Sequence, residues 1–409
     1  MRFRKYSRKA LWLVLLCLSP AIASAGSKNG ISQEALDELA DAGVNKYLGQ
    51  FQPSSSEPWE DGWTRHNFDS DGGNGPICID GSSYSMFTRK GKEPRKLLIM
   101  LQGGGACWQG LSACSETIEN QVPRGQRSGI WDLEDERNPF RNYSVAYLPY
   151  CDGSVFVGDN TVIDPEFDAQ TGTDGVRHHR GLRNLSAGMD VARAEFRKAK
   201  RITVAGSSAG GVGAVAFAPS LVRFLYGNRI KDLTVFNDAG PIALNPDALD
   251  AIAARDNDWQ FGSFYPASCT TCSAYGDQTE IIKWRLENDR GIREVFYETD
   301  GDETNIGFAS VNLPGFFDPL PPIIPFPAGL SQLEYRELVL RAHQQIVDAF
   351  PDRYRRFIVS GDASHTALQT DLFYTQQIRG IYLHRWTTDF IRGKKSWWDL
   401  VDDFEPLPE

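Results

Sequence analysis

The chain has 409 residues, 41% of them hydrophobic and 23% charged, a balance that supports a sizeable buried core and excludes a low-complexity or disordered protein. Its 53 acidic and 43 basic side chains leave a formal net charge of −10 at pH 7. Phosphate backbones and anionic lipid surfaces are repelled by such a chain, so nucleic acid is not an expected partner.

At the amino terminus Arg2, Arg4, Lys5, Arg8 and Lys9 precede an apolar run from Ala10 to Leu18, and Ala23-Ser24-Ala25 offers small residues for cleavage. That layout predicts a signal peptide over residues 1–25. The run is too short to span a bilayer, and Leu16 stands where a lipoprotein site at Cys17 would want a small residue, so export without a stable membrane anchor is expected. Removing residues 1–25 deletes five basic and no acidic side chains and brings the balance to −15. Residues 26–409 are read as one catalytic domain. They keep Cys78, Cys107, Cys114, Cys151, Cys269 and Cys272, a number that suits an oxidising compartment and structural disulfides. Six cysteines permit fifteen pairings and the sequence does not choose among them. Cys107 and Cys114 close a short loop, and Cys269 and Cys272 form a C-x-x-C. No second cysteine pair or nearby histidine completes a zinc ligand set, so no metal site is expected there.

Leu36, Leu39, Ala40 and Val44 fall on one face of the stretch from Ser32 to Leu48, which predicts a peripheral helix. Asp69 to Asp80 looks superficially like a calcium loop, but Gly73 and Asn74 break the ligand pattern, and a plain turn leading into a strand is expected. Lys96 to Leu101 is a continuous apolar run, as in a strand covered on both faces of a parallel sheet. It ends in Gln102-Gly-Gly-Gly-Ala-Cys-Trp108, and the glycines leave backbone N–H groups unobstructed. Gly104 and Gly105 are therefore candidate oxyanion-hole donors. Ser144 to Pro149 predicts the next strand, with a turn near the site at Tyr150 to Ser154. His178 and His179 would point in different directions on any regular element and do not suggest a metal pair. They read as a solvated loop ahead of a helix over Leu182–Lys198.

Arg201 to Ala214 combines a β-branched run, a turn with the pattern G-x-S-x-G (Gly206-Ser-Ser-Ala-Gly210), and small residues at helical spacing that continue through Ala216 and Leu221. A serine held at such a turn is exposed and strained, which makes Ser208 the candidate nucleophile and the N–H of Ala209 a further oxyanion donor. No lysine follows the glycines, which excludes a P-loop. Leu233 to Asn237 and Arg293 to Glu298 predict further strands. Val311 to Pro327 is apolar and rich in proline, and is read as a stiff loop forming a wall or lid of the pocket. Arg356 to Ser360 predicts the last buried strand, and His365 in the loop after it is the candidate base. His66, His343 and His384 read as surface or packing residues. The alternation of strand and helix predicts an α/β fold, α/β-hydrolase-like, with a mainly parallel central sheet and helices on both faces. The order serine, acid, histidine agrees with that fold. Spacing leaves the acid open among Asp238, Asp300 and Asp302.

In combination and order, Cys78-Ile-Asp-Gly81, Gly103-Gly-Gly-Ala-Cys107, Leu148-Pro-Tyr-Cys-Asp-Gly-Ser154, Arg180-Gly-Leu-Arg-Asn184, Gly206 to Gly211, Asp302-Glu-Thr-Asn305 and Ser364-His-Thr-Ala-Leu368 resemble the pectin acetylesterase and Notum family. The likeness runs from about Trp63 to Leu400. It implies a secreted, disulfide-bonded, cofactor-free serine esterase that removes acyl groups, acetyl foremost, from a carbohydrate or related ester. It also implies Asp302 as the acid, because the family's aspartate opens a D-x-x-Q motif; Asp300 ranks second and Asp238 takes a structural or pocket position. Two departures stand out: Ala106 occupies a position where the plant enzymes carry tryptophan, and Asn305 replaces the motif's glutamine. Alternative expectations are an inactive protein that binds a glycan or acylated ligand, and an acyltransferase or thioesterase on the same fold.

Overall fold

Strands that are apolar at every position need cover on both faces, and the computed structural model supplies it. The structure describes residues 30–118, 127–165, 167, 175–241, 249–273, 278–310 and 329–407. The strands are β1 (Ser55–Pro58), β2 (Trp63–Asn67), β3 (Ser85–Arg89), β4 (Glu93–Leu101), β5 (Gly105–Trp108), β6 (Leu111–Cys114), β7 (Tyr143–Leu148), β8 (Asn160–Ile163), β9 (Val176–His179), β10 (Arg201–Ser207), β11 (Asp232–Asp238), β12 (Ile292–Thr299), β13 (Tyr354–Val359), the short hairpin β14 (Gln377–Ile378) and β15 (Ile381–Tyr382), and β16 (Leu400–Val401). The helices are α1 (Gln33–Asp41), α2 (Gly181–Glu195), α3 (Ala209–Val215), α4 (Ala218–Tyr226), α5 (Leu249–Trp259), α6 (Thr279–Asn288), α7 (Glu303–Ser310), α8 (Gln332–Ala349), α9 (Leu372–Thr375) and α10 (Leu383–Ile391).

Ten strands form one sheet in the order β1-β2-β3-β7-β4-β10-β11-β12-β13-β16. From β7 to β16 every pairing is parallel, while β1, β2 and β3 add an antiparallel edge. The period of two along a strand divides its side chains between two cores. Leu97, Ile99 and Leu101 enter one, together with Leu39, Leu185, Leu221, Ile282 and Val339 from α1, α2, α4, α6 and α8. Leu98 and Met100 enter the other, with Phe373 from α9 and Leu383, Trp386 and Phe390 from α10. The mainly parallel sheet with helices on both faces is thus the α/β-hydrolase-like architecture expected from the sequence. It also puts the carboxyl ends of β4, β10, β11, β12 and β13, where a site forms in such sheets, along one edge.

Three disulfides are present: Cys78–Cys151, Cys107–Cys114 and Cys269–Cys272. The last two are the short-range bridges that spacing suggested, and the first joins segments 73 residues apart. The stretch after Asp69 forms a turn, with a short 3₁₀ segment at Asp71–Gly73, and leads to β3.

Three local expectations are corrected. The helix after Ser208 does not run unbroken to Leu221: α3 stops at Val215 and α4 starts at Ala218, with a bend of 46°. Pro219 lies in the first turn of α4, where its missing N–H costs nothing, whereas inside a continuous helix its ring would strike the preceding turn. The peripheral helix ends at Asp41 rather than Leu48, because Gly43 takes φ +83° and turns the chain. Arg177 to His179 is not a solvated loop but part of β9, paired with β8. His179 is fully buried, with Nδ1 3.2 Å from the Asp152 carbonyl, and His178 is half-buried. Residues 1–25 and 311–327 lie outside the described residues. Among those described, no single helix is long and apolar enough to cross a membrane.

Candidate active site

The strand-turn-helix at Ser208 is built by exclusion of side chains. A Cβ on Gly206 would stand 2.0 Å from the Gly210 carbonyl oxygen, and one on Gly210 would stand 2.2 Å from that of Leu101. Only glycine allows β10 and α3 to meet this closely on top of β4. Between them Ser208 takes φ 55° and ψ −123°, a region that non-glycine residues enter only under constraint from their surroundings. Its N–H donates to the Asp238 carbonyl at 2.8 Å, and its own carbonyl accepts from Gly211 and Val212.

The glycine run lies directly against this turn, for a Cβ on Gly103 would be 2.9 Å from Ser208 Cβ. Gly104 follows, its carbonyl accepting from Ser115 N–H at 2.7 Å, and then Gly105 with φ +76° at the start of β5. The β5–β6 hairpin is closed by Cys107–Cys114, and Cys107 N–H donates to the Gly153 carbonyl at 2.8 Å. This bond joins the turn at Tyr150–Ser154 to the glycine segment, as its position in the sequence suggested. Ala209, the first residue of α3, completes the set of expected donors.

The loop after β13 carries His365, and its Nδ1 lies 2.6 Å from Asp302 Oδ2. Asp302 is fully buried, while the His365 side chain is one-quarter exposed. Thr299 at the end of β12 holds the same loop by donating Oγ1–H to the Ser364 carbonyl at 2.6 Å. Asp300 faces elsewhere: Arg336 Nη1 lies 2.7 Å from its Oδ2, and Gln332, Ser360 and Gly361 N–H also donate to it. Of the two neighbouring acids, only Asp302 meets the histidine.

Asp238 connects the two halves of the site. It accepts from Ser207 Oγ at 2.5 Å, from Ala367 N–H at 2.9 Å and from Leu368 N–H at 3.1 Å. One fully buried carboxyl therefore pins the strand that leads to Ser208 to the loop that carries His365. Burial pushes its pKa up to about 6, against the pull of those hydrogen bonds.

Beneath Asp302, Asn305 donates its N–H to Asp302 Oδ1 at 2.9 Å and its Nδ2–H to the Ala239 carbonyl at 3.0 Å and to Glu298 Oε2 at 2.9 Å. Glu298 and its partner Tyr335 were not singled out in the sequence. The only signal for them was an acid inside β12, a strand whose apolar neighbours are buried on both faces.

An apolar cavity of about 1000 Å³, counting the part open to solvent, is lined by Ala106, Val155, Val212, Trp259, Phe296 and Phe308 among others. Ala106 directly follows the glycine run, and Val212 sits one helical turn beyond Ser208. The cavity thus begins at the elements that frame the serine.

A family model described as Pectinacetylesterase matches residues 67–251, the span that holds the glycine run, the Ser208 turn and Asp238. Among curated proteins, "Palmitoleoyl-protein carboxylesterase NOTUM" of Drosophila melanogaster is 23% identical over 273 residues, covering 61% of this chain and 40% of the relative. NOTUM of Schmidtea mediterranea is 29% identical over 161 residues, 36% of this chain and 29% of the relative. "Pectin acetylesterase 11" of Arabidopsis thaliana is 28% identical over 152 residues, 34% of this chain and 37% of the relative. The matches therefore span less than half the length of these relatives. On the combined ground of the family match, the relatives and the α/β-hydrolase-like sheet, this chain is similar over residues 67–251 to the pectin acetylesterase and Notum family.

Proposed function

We propose that the protein is an exported serine carboxylic-ester hydrolase acting through an acyl-enzyme. The observation that carries this reading is the Asp302–His365 pair, tied through Asp238 to a strained serine turn that packs on a run of glycines. In the proposed cycle His365 removes the Ser208 Oγ proton as the oxygen attacks the ester carbonyl carbon. The carbonyl oxygen gains negative charge, and the N–H groups of Gly104, Gly105 and Ala209 are the donors assigned to it. Collapse breaks the bond to the alcohol, which leaves with the proton returned by His365. A water molecule then gives its proton to His365, attacks the acyl carbon and releases the acid, restoring Ser208. Asp302 keeps the imidazole in the tautomer that presents a free nitrogen to the serine.

The relatives are named for acetyl and for palmitoleoyl esters, groups that differ greatly in length. Here the cavity favours an acyl group longer than acetyl: it is almost wholly apolar, and Ala106 leaves open the space that a larger side chain beside the glycines would occupy. The alcohol side is assigned to a carbohydrate or related hydroxyl compound on the family likeness. Export rests on the signal-peptide pattern of residues 1–25 and on the three disulfides.

The test is turnover of p-nitrophenyl acetate, butyrate and octanoate by wild type and Ser208→Ala, with fluorophosphonate labelling of both. Wild type should be labelled at Ser208 and prefer butyrate or octanoate, and the variant should lose labelling and at least about 10³-fold in kcat. Undiminished hydrolysis by Ser208→Ala would overturn the mechanism, and a preference for acetate would overturn the acyl assignment.

A further inference from the structure

His343 reads in the sequence as a packing residue, and the proposed cycle gives it no part. It lies on α8, where Tyr335, Val339 and His343 stand at i, i+4 and i+8 and so share one face. All three line the apolar cavity. Tyr335 marks the catalytic end of that face: its Oη donates to Glu298 Oε2 at 2.9 Å, one residue before Thr299, which holds the His365 loop. At a rise of about 1.5 Å per residue, the helix carries His343 about 12 Å away from there. Its Nδ1 lies 2.5 Å from the hydroxyl of Tyr354, the first residue of β13, at the opposite end of that strand from the site. The imidazole is thus held on two sides, since one face also stacks on Phe296 with ring centres 4.1 Å apart. Its Nε2 is buried and has no hydrogen-bond partner, and turning the ring to find one would break the Tyr354 bond. Trp259, Tyr335 and Gln278, polar groups of the same wall, are paired: Trp259 Nε1 donates to the Cys107 carbonyl, Tyr335 to Glu298, and Gln278 Oε1 accepts from Tyr265 Oη. A buried nitrogen left unmatched is costly, so what fills the cavity decides whether His343 is satisfied.

We propose that the cavity accepts an acyl group ending in a hydroxyl, and that His343 is the specificity-determining residue that pairs with this hydroxyl through Nε2. Full burial lowers the His343 pKa to about 3, so the imidazole is neutral and Nε2 donates or accepts according to the tautomer. A hydroxyl does both and therefore suits either form. A methyl end would leave Nε2 unmatched. A carboxylate or ammonium end would place a charge among Ile281, Phe296 and Val339, where nothing offsets its loss of water. The stretch between ester and hydroxyl meets an almost wholly apolar wall, so it is hydrocarbon, either a flexible alkyl chain or an aromatic unit such as a hydroxycinnamoyl group.

The role assigned to His343 rests on the serine-esterase reading, and the experiment separates the two. Values of kcat/KM are compared for p-nitrophenyl esters that differ only in the hydroxyl: octanoate with ω-hydroxyoctanoate, and cinnamate with para-hydroxycinnamate. Wild type should favour the hydroxylated ester of at least one pair by about tenfold. His343→Phe keeps a ring against Phe296 but has no nitrogen to offer, and should lose that preference. A preference in one pair alone supports the proposal and tells an alkyl from an aromatic chain. Equal or poorer turnover of the hydroxylated ester by wild type in both pairs would overturn it, because a hydroxyl without a partner is costly to desolvate. So would an undiminished preference in His343→Phe. If that variant does not fold, the wild-type ratios decide alone. Failure of wild type to be labelled by a fluorophosphonate at Ser208 would instead remove the esterase reading. Thermal shifts with the free acids of the same pairs then decide: the hydroxylated acid stabilises the protein more if the proposal holds, and no more if it fails.

Discussion

Asp300 and Asp302 sit two positions apart at the end of β12 and have unlike surroundings. Asp300 is held by Arg336, Gln332, Ser360 and Gly361, a network that fastens α8 and the end of β13 to the sheet. Asp302 is held by Asn305 and meets His365. The two asparagine variants should therefore fail differently. Asp302→Asn keeps the shape but favours the wrong imidazole tautomer, and kcat should fall by up to about 10⁴-fold with little change in melting temperature. Asp300→Asn leaves a buried Arg336 without its counter-charge, so stability should fall by about 3–5 kcal/mol while kcat of the folded enzyme stays within a few-fold of wild type. Steady-state kinetics and thermal unfolding of both variants check this, and reversed outcomes would transfer the acid's role to Asp300. The replacement of the family's glutamine by Asn305 removes no contact to the acid, because the backbone N–H makes it, and the shorter side chain still reaches Glu298 and Ala239.

Among the elements, the turn between β10 and α3 is the most tightly specified. Its glycines are required where backbone meets backbone, and no rotamer change relieves that contact. Gly210→Ala would drive a methyl into the Leu101 and Gln102 carbonyls, forcing α3 away from β4, which carries the glycine run. Overpacking of this kind costs about 1–3 kcal/mol, and displacement of the proposed oxyanion donors should cost more in rate than in stability. Gly210→Ala is expected to fold with a lowered melting temperature and to lose fluorophosphonate labelling at Ser208; normal labelling would mean that the turn tolerates displacement. As a control, Gly227 has φ +63° and open space for 4 Å around the point where a Cβ would stand, so its substitution should be felt only as local backbone strain and not in labelling.

At the scale of the whole molecule, buried titratable groups give stability a pH dependence that the net charge does not reveal. His179 and His343 are fully buried, and burial lowers the pKa of each to about 3. Their folded values lie below the unfolded value of about 6.5, so the unfolded chain takes up protons first and stability falls as pH drops through 6.5. Asp152 and Asp238, raised by burial to about 6, act in the opposite sense: their contribution is present at low pH and is lost as pH rises from about 4 to 6. The opposing groups are separated by substitution. His343 stacks on Phe296 at 4.1 Å, and His343→Phe removes its titration but keeps an aromatic ring. The stability of His343→Phe relative to wild type should improve by about 2.3 kcal/mol between pH 6.5 and pH 4.5, measured by urea unfolding at each pH. A constant difference across that range would mean that His343 protonates freely in the fold.

Continuous apolar runs determined the central strands, because a strand buried on both faces leaves no polar position to blur the pattern. The glycines and Ser208 determined the turn, since its backbone geometry is local, and the loop after the last strand determined His365 as the candidate base. Spacing left the acid open and the family resemblance pointed to Asp302, while only tertiary structure brought Asp302 to that histidine and sent Arg336 from a distant helix to occupy Asp300. Tertiary structure alone joined Cys78 to Cys151, placed Asp238 between Ser207 and Ala367, buried His179 in a strand, and set Asn305 between Glu298 and Asp302. Short-range patterns record the backbone's own preferences, whereas the partner of a buried polar group is chosen by whichever remote segment packs against it.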